Sequence, residues 1–245
     1  HISGLSPVNT LTIKAASGKR GDVHIFHNKF DKGGYDPDQM ANDYGVVTFD
    51  GADYTTLQTL EISTEDLTYP GVLHLRNESR HVTIDSCYVH APKSSNIQQK
   101  VTLLNMYAKS VANANNDHLT LQRSLLEGGY MGVRLGGTGI VALPKEVGGR
   151  ILNNVFRNQE SKAIYVAREA DAHIEDNIVE NETSTHNDFN AVDIDATGDV
   201  RLARNRINLS TKGYCTAVYV RNMSGLPTAP ALMANNVVMV SHGTT

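Results

Sequence analysis

One pattern constrains this chain more than any other. An apolar residue is followed three positions later by an asparagine or a substitute for it, then two positions later by a second apolar residue, and the unit returns about every 30 residues. The leading column is Ile25, Leu57, Ile84, Leu121, Ile151, Ile174, Leu202 and Met233. The central column is Asn28, Leu60, Cys87, Ser124, Asn154, Asn177, Asn205 and Asn236, and the trailing one is Phe30, Ile62, Val89, Leu126, Phe156, Val179, Ile207 and Val238. A unit of this length cannot bury its own apolar face and must stack on copies of itself, so the period points to a solenoid.

A second strand precedes each unit and alternates with the two-residue period of β-structure. Its apolar pairs are Leu11/Ile13, Val47/Phe49, Leu73/Leu75, Val101/Leu103, Val133/Leu135, Ile164/Val166, Val192/Ile194 and Val218/Val220. Helical spacing is nowhere sustained, and Gly, Asn, Asp and Pro punctuate the gaps. The chain therefore reads as all-β: a single-stranded right-handed parallel β-helix of about eight rungs, one domain spanning residues 1–245. Asparagine is abundant, with 21 residues. Stacked rungs lie ~4.8 Å apart, so the asparagines of the central column are expected to form a corner ladder, passing amide hydrogen bonds from rung to rung and serving a bend that often requires left-handed backbone. Cys87 in that column and Cys215 are separated by five rungs and are expected to be free thiols.

Composition removes several function classes. A net charge of −4 and a pI near 6.2, with no basic stripe, give nucleic acid no foothold. No apolar run approaches the ~18 residues of a membrane helix. The opening "HISGLSP" has neither an initiator Met nor a signal-peptide pattern, and neither end shows an amphipathic capping helix. The chain is expected to be a module of a longer secreted or cell-surface protein, flanked by further domains.

The pattern I-x-x-N-x-apolar, a turn, and then apolar-x-apolar resembles the parallel β-helix repeat of pectate-lyase-like proteins, from about Leu11 to Val240. "GVVTFDGADYTTLQTLEIS" (45–63) and "LHLRNESRHVTIDSCYVHAP" (73–92) look like the rungs of β-helix regions in very large secreted bacterial surface proteins. The resemblance implies an extracellular setting and a bias towards polysaccharide or a glycan surface, without assigning a reaction. No ordered set like the "NTD", "DD", "GHG", "RIK" series of polygalacturonases is present, and "SHG" at 241–243 is too short to stand for one.

Strand alternation places Thr12, Thr48, His74, Thr102, Arg134, Tyr165, Asp193 and Tyr219 in one outward row, and Lys14, Asp50, Arg76, Leu104, Gly136, Ala167, Asp195 and Arg221 in a second. Arg134, Tyr165, Asp193, Asp195, Tyr219 and Arg221 then share a face, where aromatic rings and charged groups suit sugar rings and uronate carboxylates. Arg134, Tyr165, Tyr219, His74 and Arg76 are the expected substrate-binding residues. The plainer alternative is a solvated sheet face with Asp195–Arg221 as an ion pair between rungs. If the chain is an enzyme, Asp193 and Asp195 with Arg221 form its expected catalytic set. Residues i and i+2 of a strand stand about 6.5–7 Å apart, within the carboxyl separation of inverting glycosidases.

Long insertions at 31–43, 104–118, 136–149 and 182–190 could wall a groove over these rows. Asp31, Asp36, Asp38 and Asp43 could hold Ca²⁺, but their spacing is not that of an EF-hand loop, and no cofactor is expected. His24 and His27 in "HIFH" fall on opposite faces of a strand and cannot chelate one metal together, so no zinc site is expected. Glycine-rich "GGYMGVRLGGTG" (128–139) flanks a strand and does not open a helix, unlike a phosphate-binding loop. Two function classes remain: a non-catalytic extracellular module facing carbohydrate, or a polysaccharide lyase or glycoside hydrolase acting on an acidic polysaccharide.

Overall fold

The computed structural model describes residues 5–27, 45–67, 71–93, 101–107, 116–136, 145–182, 188–195, 198–210, 213–223 and 230–241. Among them there is no helix. Three parallel sheets run the length of a β-solenoid, each strand pairing with its counterparts on the adjacent turns. The first sheet stacks eight strands, from Leu11–Lys14 and Thr55–Gln58 to Leu232–Ala234. The second also stacks eight, from His24–Phe26 and Glu61–Ser63 to Val237–Val240. The third has seven: Gly45–Asp50, Gly71–Arg76, Thr102–Tyr107, Met131–Gly136, Lys162–Ala167, Asp188–Asp195 and Tyr214–Arg221.

Alternation along each strand builds the core. Leu57, Ile84, Leu121, Ile151, Ile174, Leu202 and Met233 stand in register in the first sheet. Ile62, Val89, Leu126, Phe156, Val179, Ile207 and Val238 do so in the second. All are buried except Met233 and Val238 on the terminal turn, which are 56% and 46% exposed.

Two registers differ from those read from the sequence. Ile13 pairs with Leu57 and Ile25 with Ile62, so Leu11 and Ile13 belong to the first sheet, and Ile25 occupies the place expected for Phe30. The cause is the first corner: residues 15–23, with Gly18 and Gly21 at φ 69° and 96°, separate strands that later turns join through two residues. Asn28 and Phe30 lie outside the described residues. In the third sheet Leu104 and Met106, not Val101 and Leu103, align with Val133 and Leu135. Strict alternation fails because each strand here bends, turning two consecutive residues inward: Val72/Leu73, Leu103/Leu104, Ala163/Ile164 and Ala191/Val192 all belong to the core. Asn105 therefore takes the outward place expected for Thr102, and Leu104 leaves the second outward row.

The corner between the first two sheets carries the expected ladder. Cys87 N donates to Ser124 Oγ (3.0 Å), Ser124 N to Asn154 Oδ1 (3.0 Å), Asn154 N to Asn177 Oδ1 (2.9 Å), Asn177 N to Asn205 Oδ1 (3.0 Å) and Asn205 N to Asn236 Oδ1 (2.9 Å). Each asparagine Nδ2 also donates back to a carbonyl in the first sheet, of Leu121, Ile151, Ile174 and Leu202 in turn. Left-handed backbone falls on the residue before the ladder position, at Thr59, Ser86, Arg123, Asn153, Asp176, Arg204 and Asn235. Bend geometry and ladder chemistry thus belong to neighbouring residues.

A second polar column stands inside the corner that leads back to the first sheet. Ala52 N donates to Ser79 Oγ (3.1 Å), Ser79 N to Asn116 Oδ1 (3.0 Å) and Asn116 N to Glu146 Oε1 (3.5 Å). Glu169, paired in register with Glu146, accepts from Gly149 N (2.8 Å). Both glutamates are fully buried. Desolvation, followed by the charge of Glu169, pushes Glu146 well above the carboxylate range, and desolvation pushes Glu169 up to about 8.

Cys87 and Cys215 are free thiols. Burial raises the Cys87 thiol further from ionisation, against weaker opposition from backbone hydrogen bonds.

Candidate functional site

The third sheet orders Asn105, Arg134, Tyr165, Asp193 and Tyr219 across successive turns, with Ala167, Asp195 and Arg221 two residues further along their strands. Six of the expected site residues, Arg134, Tyr165, Asp193, Asp195, Tyr219 and Arg221, therefore share one stretch of sheet. Lys162 joins them through the bend at Ala163/Ile164, which turns its side chain outward, and its ammonium pairs with Asp193 Oδ2.

Charges on this face are already matched. Asp193, whose side chain is only 1% exposed, lies between Lys162 and Arg221, with its Oδ1 3.8 Å from the Arg221 guanidinium. Arg221 Nε meets Asp195 Oδ2 at 2.9 Å, and Asn222 Nδ2 donates to Asp195 Oδ1 at 2.9 Å. One guanidinium thus bridges both carboxylates, and although partial desolvation opposes its charge, those carboxylates hold it more firmly protonated. Lys162 Nζ stands 5.4 Å and Arg134 Cζ 6.0 Å from the centre of the Tyr165 ring, while Arg221 Cζ stands 5.3 Å from that of Tyr219. The Tyr165 phenol is half-buried and raised chiefly by desolvation, whereas Tyr219 is 44% exposed on the last strand of the sheet.

His74 and Arg76 are not part of this cluster. His74 sits two strands before Arg134, about 10 Å away, with Asn105 between them. Though expected to face outward, it is buried, and desolvation lowers its imidazole to about 4. Arg76 forms its own ion pair with Asp50 at 2.7 Å. Of the insertions expected to wall a groove at 31–43, 104–118, 136–149 and 182–190, residues 31–43, 108–115, 137–144 and 183–187 lie outside the described residues, Asp31, Asp36, Asp38 and Asp43 among them, whereas 104–107, 146–147 and 188–190 belong to strands.

This arrangement suits contact more than proton transfer. A general acid must be able to hold a proton and reach the leaving group, but Asp193 is sheltered between two cations and Asp195 is taken by Arg221 and Asn222. What stays partly open is the Tyr219 ring, with Arg221 over one face. Lys162 was missed in the sequence because regular alternation gives no sign of the bend that exposes it. Elsewhere, and not anticipated from the sequence, His24, Glu61 and His90 bring three metal-ligating atoms within 4.8 Å of one another on the second sheet.

The chain matches no known protein-family model, and no curated protein is detectably similar to it in sequence.

Proposed function

We propose that this β-solenoid is an extracellular glycan-binding module of a bacterial surface protein, contacting acidic polysaccharide through the third-sheet face around Tyr219 and Arg221. The supporting observation is the open Tyr219 ring with the Arg221 guanidinium over one face, beside the ion-paired cluster of Lys162, Asp193 and Asp195. An exposed aromatic plane stacks on the apolar face of a sugar, and a guanidinium beside it recognises a uronate or sulfate. Occupied carboxylates favour binding over hydrolysis or elimination. The surface-protein setting draws on the pectate-lyase-like repeat and on the likeness of 45–63 and 73–92 to rungs of large secreted proteins.

Glycan arrays and affinity electrophoresis in acidic polysaccharide gels test the reading. Tyr219→Ala should weaken binding at least tenfold and leave the melting temperature nearly unchanged, because an exposed ring contributes little to the core. Wild-type binding should also fall steeply with salt. Binding that survives the substitution would move the site elsewhere. Release of reducing ends or unsaturated uronates by the wild-type chain would replace this reading with the enzymatic one.

A further inference from the structure

The first three strands of the second sheet bring together side chains that are far apart in sequence. His24 and Glu61 occupy paired positions on adjacent turns, and His90 stands on the third turn beside Ser63. All three side chains project from the outer face and are partly open to solvent, at 37%, 23% and 23% exposure. Glu61 Oε1 lies 3.0 Å from His90 Nε2 and 3.8 Å from His24 Nε2, and the three atoms fall within 4.8 Å of one another. Around a tetrahedral ion with bonds of ~2.0–2.2 Å, ligand atoms stand roughly 3.3–3.5 Å apart. Small rotations of exposed rings would therefore close the set without moving the backbone.

We propose that His24, Glu61 and His90 bind a divalent transition ion of the zinc class, leaving a coordination position open to water. Two imidazoles and one carboxylate match the borderline-soft preference of Zn²⁺ and disfavour Ca²⁺, which takes oxygen ligands in larger numbers. The supporting contacts resemble an outer shell. The Tyr88 ring lies against His90, with centroids 4.3 Å apart at 21°, and its hydroxyl is anchored by donation to Glu127 at 2.7 Å. Ser63 Oγ stands 2.7 Å from His24 Nε2, placed to orient an incoming water once that nitrogen turns to the metal. Since the three ligands come from three successive turns, the ion would clasp the N-terminal end of the solenoid, where the core is incompletely covered: Ile13 is 44% exposed, and Ile25 is only half-buried. The site is remote from the third-sheet face and independent of any reading of it.

Titration calorimetry of the full chain with ZnCl₂, followed by Co²⁺ absorption spectroscopy, tests the proposal. One ion should bind per chain, with Co²⁺ giving the visible bands of a four- or five-coordinate site, and hydrogen exchange in 24–26 should slow when Zn²⁺ is added. His90→Ala and Glu61→Gln should each weaken Zn²⁺ binding more than tenfold, whereas His173→Ala should not alter it. His90→Gln, which can still hydrogen-bond Glu61, provides a second variant should His90→Ala fail to fold. Equal Zn²⁺ binding by wild type and these variants would overturn the assignment. So would saturation by Ca²⁺ without Zn²⁺, or no Zn²⁺ uptake by the wild type at about 100 μM.

Discussion

Asn177 shows how much one side chain contributes to the corner. Its Oδ1 accepts from both the backbone and the side-chain amide of Asn154, at 2.9 and 3.0 Å, and its Nδ2 donates to the Ile151 carbonyl at 2.8 Å. All of this is buried, so Asn177→Ala would orphan donors and an acceptor together, costing about 2–4 kcal/mol in urea unfolding. Asn177→Asp should be worse than alanine at neutral pH, because it keeps the acceptor but turns a charged oxygen towards the Ile151 carbonyl and Asn205 Oδ1. An aspartate variant as stable as wild type would refute the ladder as drawn. Asparagine at 154, 177, 205 and 236 made this column legible from the sequence. The other polar column was not, since Ser79, Asn116, Glu146 and Glu169 perform one task at three different spacings and with three different chemistries.

Within the third sheet, Lys162 and Asp193 are predicted to act as a unit. Removing the ammonium in Lys162→Met leaves a carboxylate sheltered from solvent with Arg221 only at 3.8 Å, which should cost about 3 kcal/mol. Adding Asp193→Leu to that variant should recover most of the loss, and a double-mutant cycle in urea would reveal strict additivity if the two did not interact. The same strands explain what the sequence concealed. Periodicity from Leu57 onward fixed the first two sheets, because their strands are short, straight and joined by two-residue corners. In the third, a period of two prefers Val101/Leu103 over Leu104/Met106, since nothing in "VTLLNM" announces that Leu103 and Leu104 both turn inward. The bend also makes Lys162, which the sequence reading missed, an outward partner, and burial of Asp193 turns a carboxylate expected to face outward into part of an ion-paired cluster.

Across the chain as a unit, buried acids and a buried histidine set opposite pH slopes. Glu169, raised to about 8 from 4.5, keeps in the folded state a proton that the unfolded chain releases, so stability falls as pH rises from about 4.5 to about 8. His74, lowered to about 4 from 6.5, excludes a proton that the unfolded chain takes up, so stability falls as pH drops from about 6.5 to about 4. The two slopes oppose one another between about 4.5 and 6.5, Glu146 is raised in the same direction as Glu169 and adds to the alkaline loss, and above about 6.5 the decline is unopposed by His74. Glu169→Gln retains the acceptor for Gly149 N and should flatten that decline, so that denaturation midpoints of variant and wild type converge near pH 5 and separate by pH 8. Midpoints that separate equally at both values would remove ionisation as the cause. Finally, the backbone amides of the ladder residues all point the same way: from Cys87 to Asn205, each donates to the side chain of the turn that follows it. Tension applied from the C-terminal end would accordingly strip acceptors from the preceding turn before touching its apolar contacts, beginning at the half-exposed Met233 and Val238. The solenoid should pay out like a ratchet, one coil at a time, in steps of roughly 100 Å of contour length.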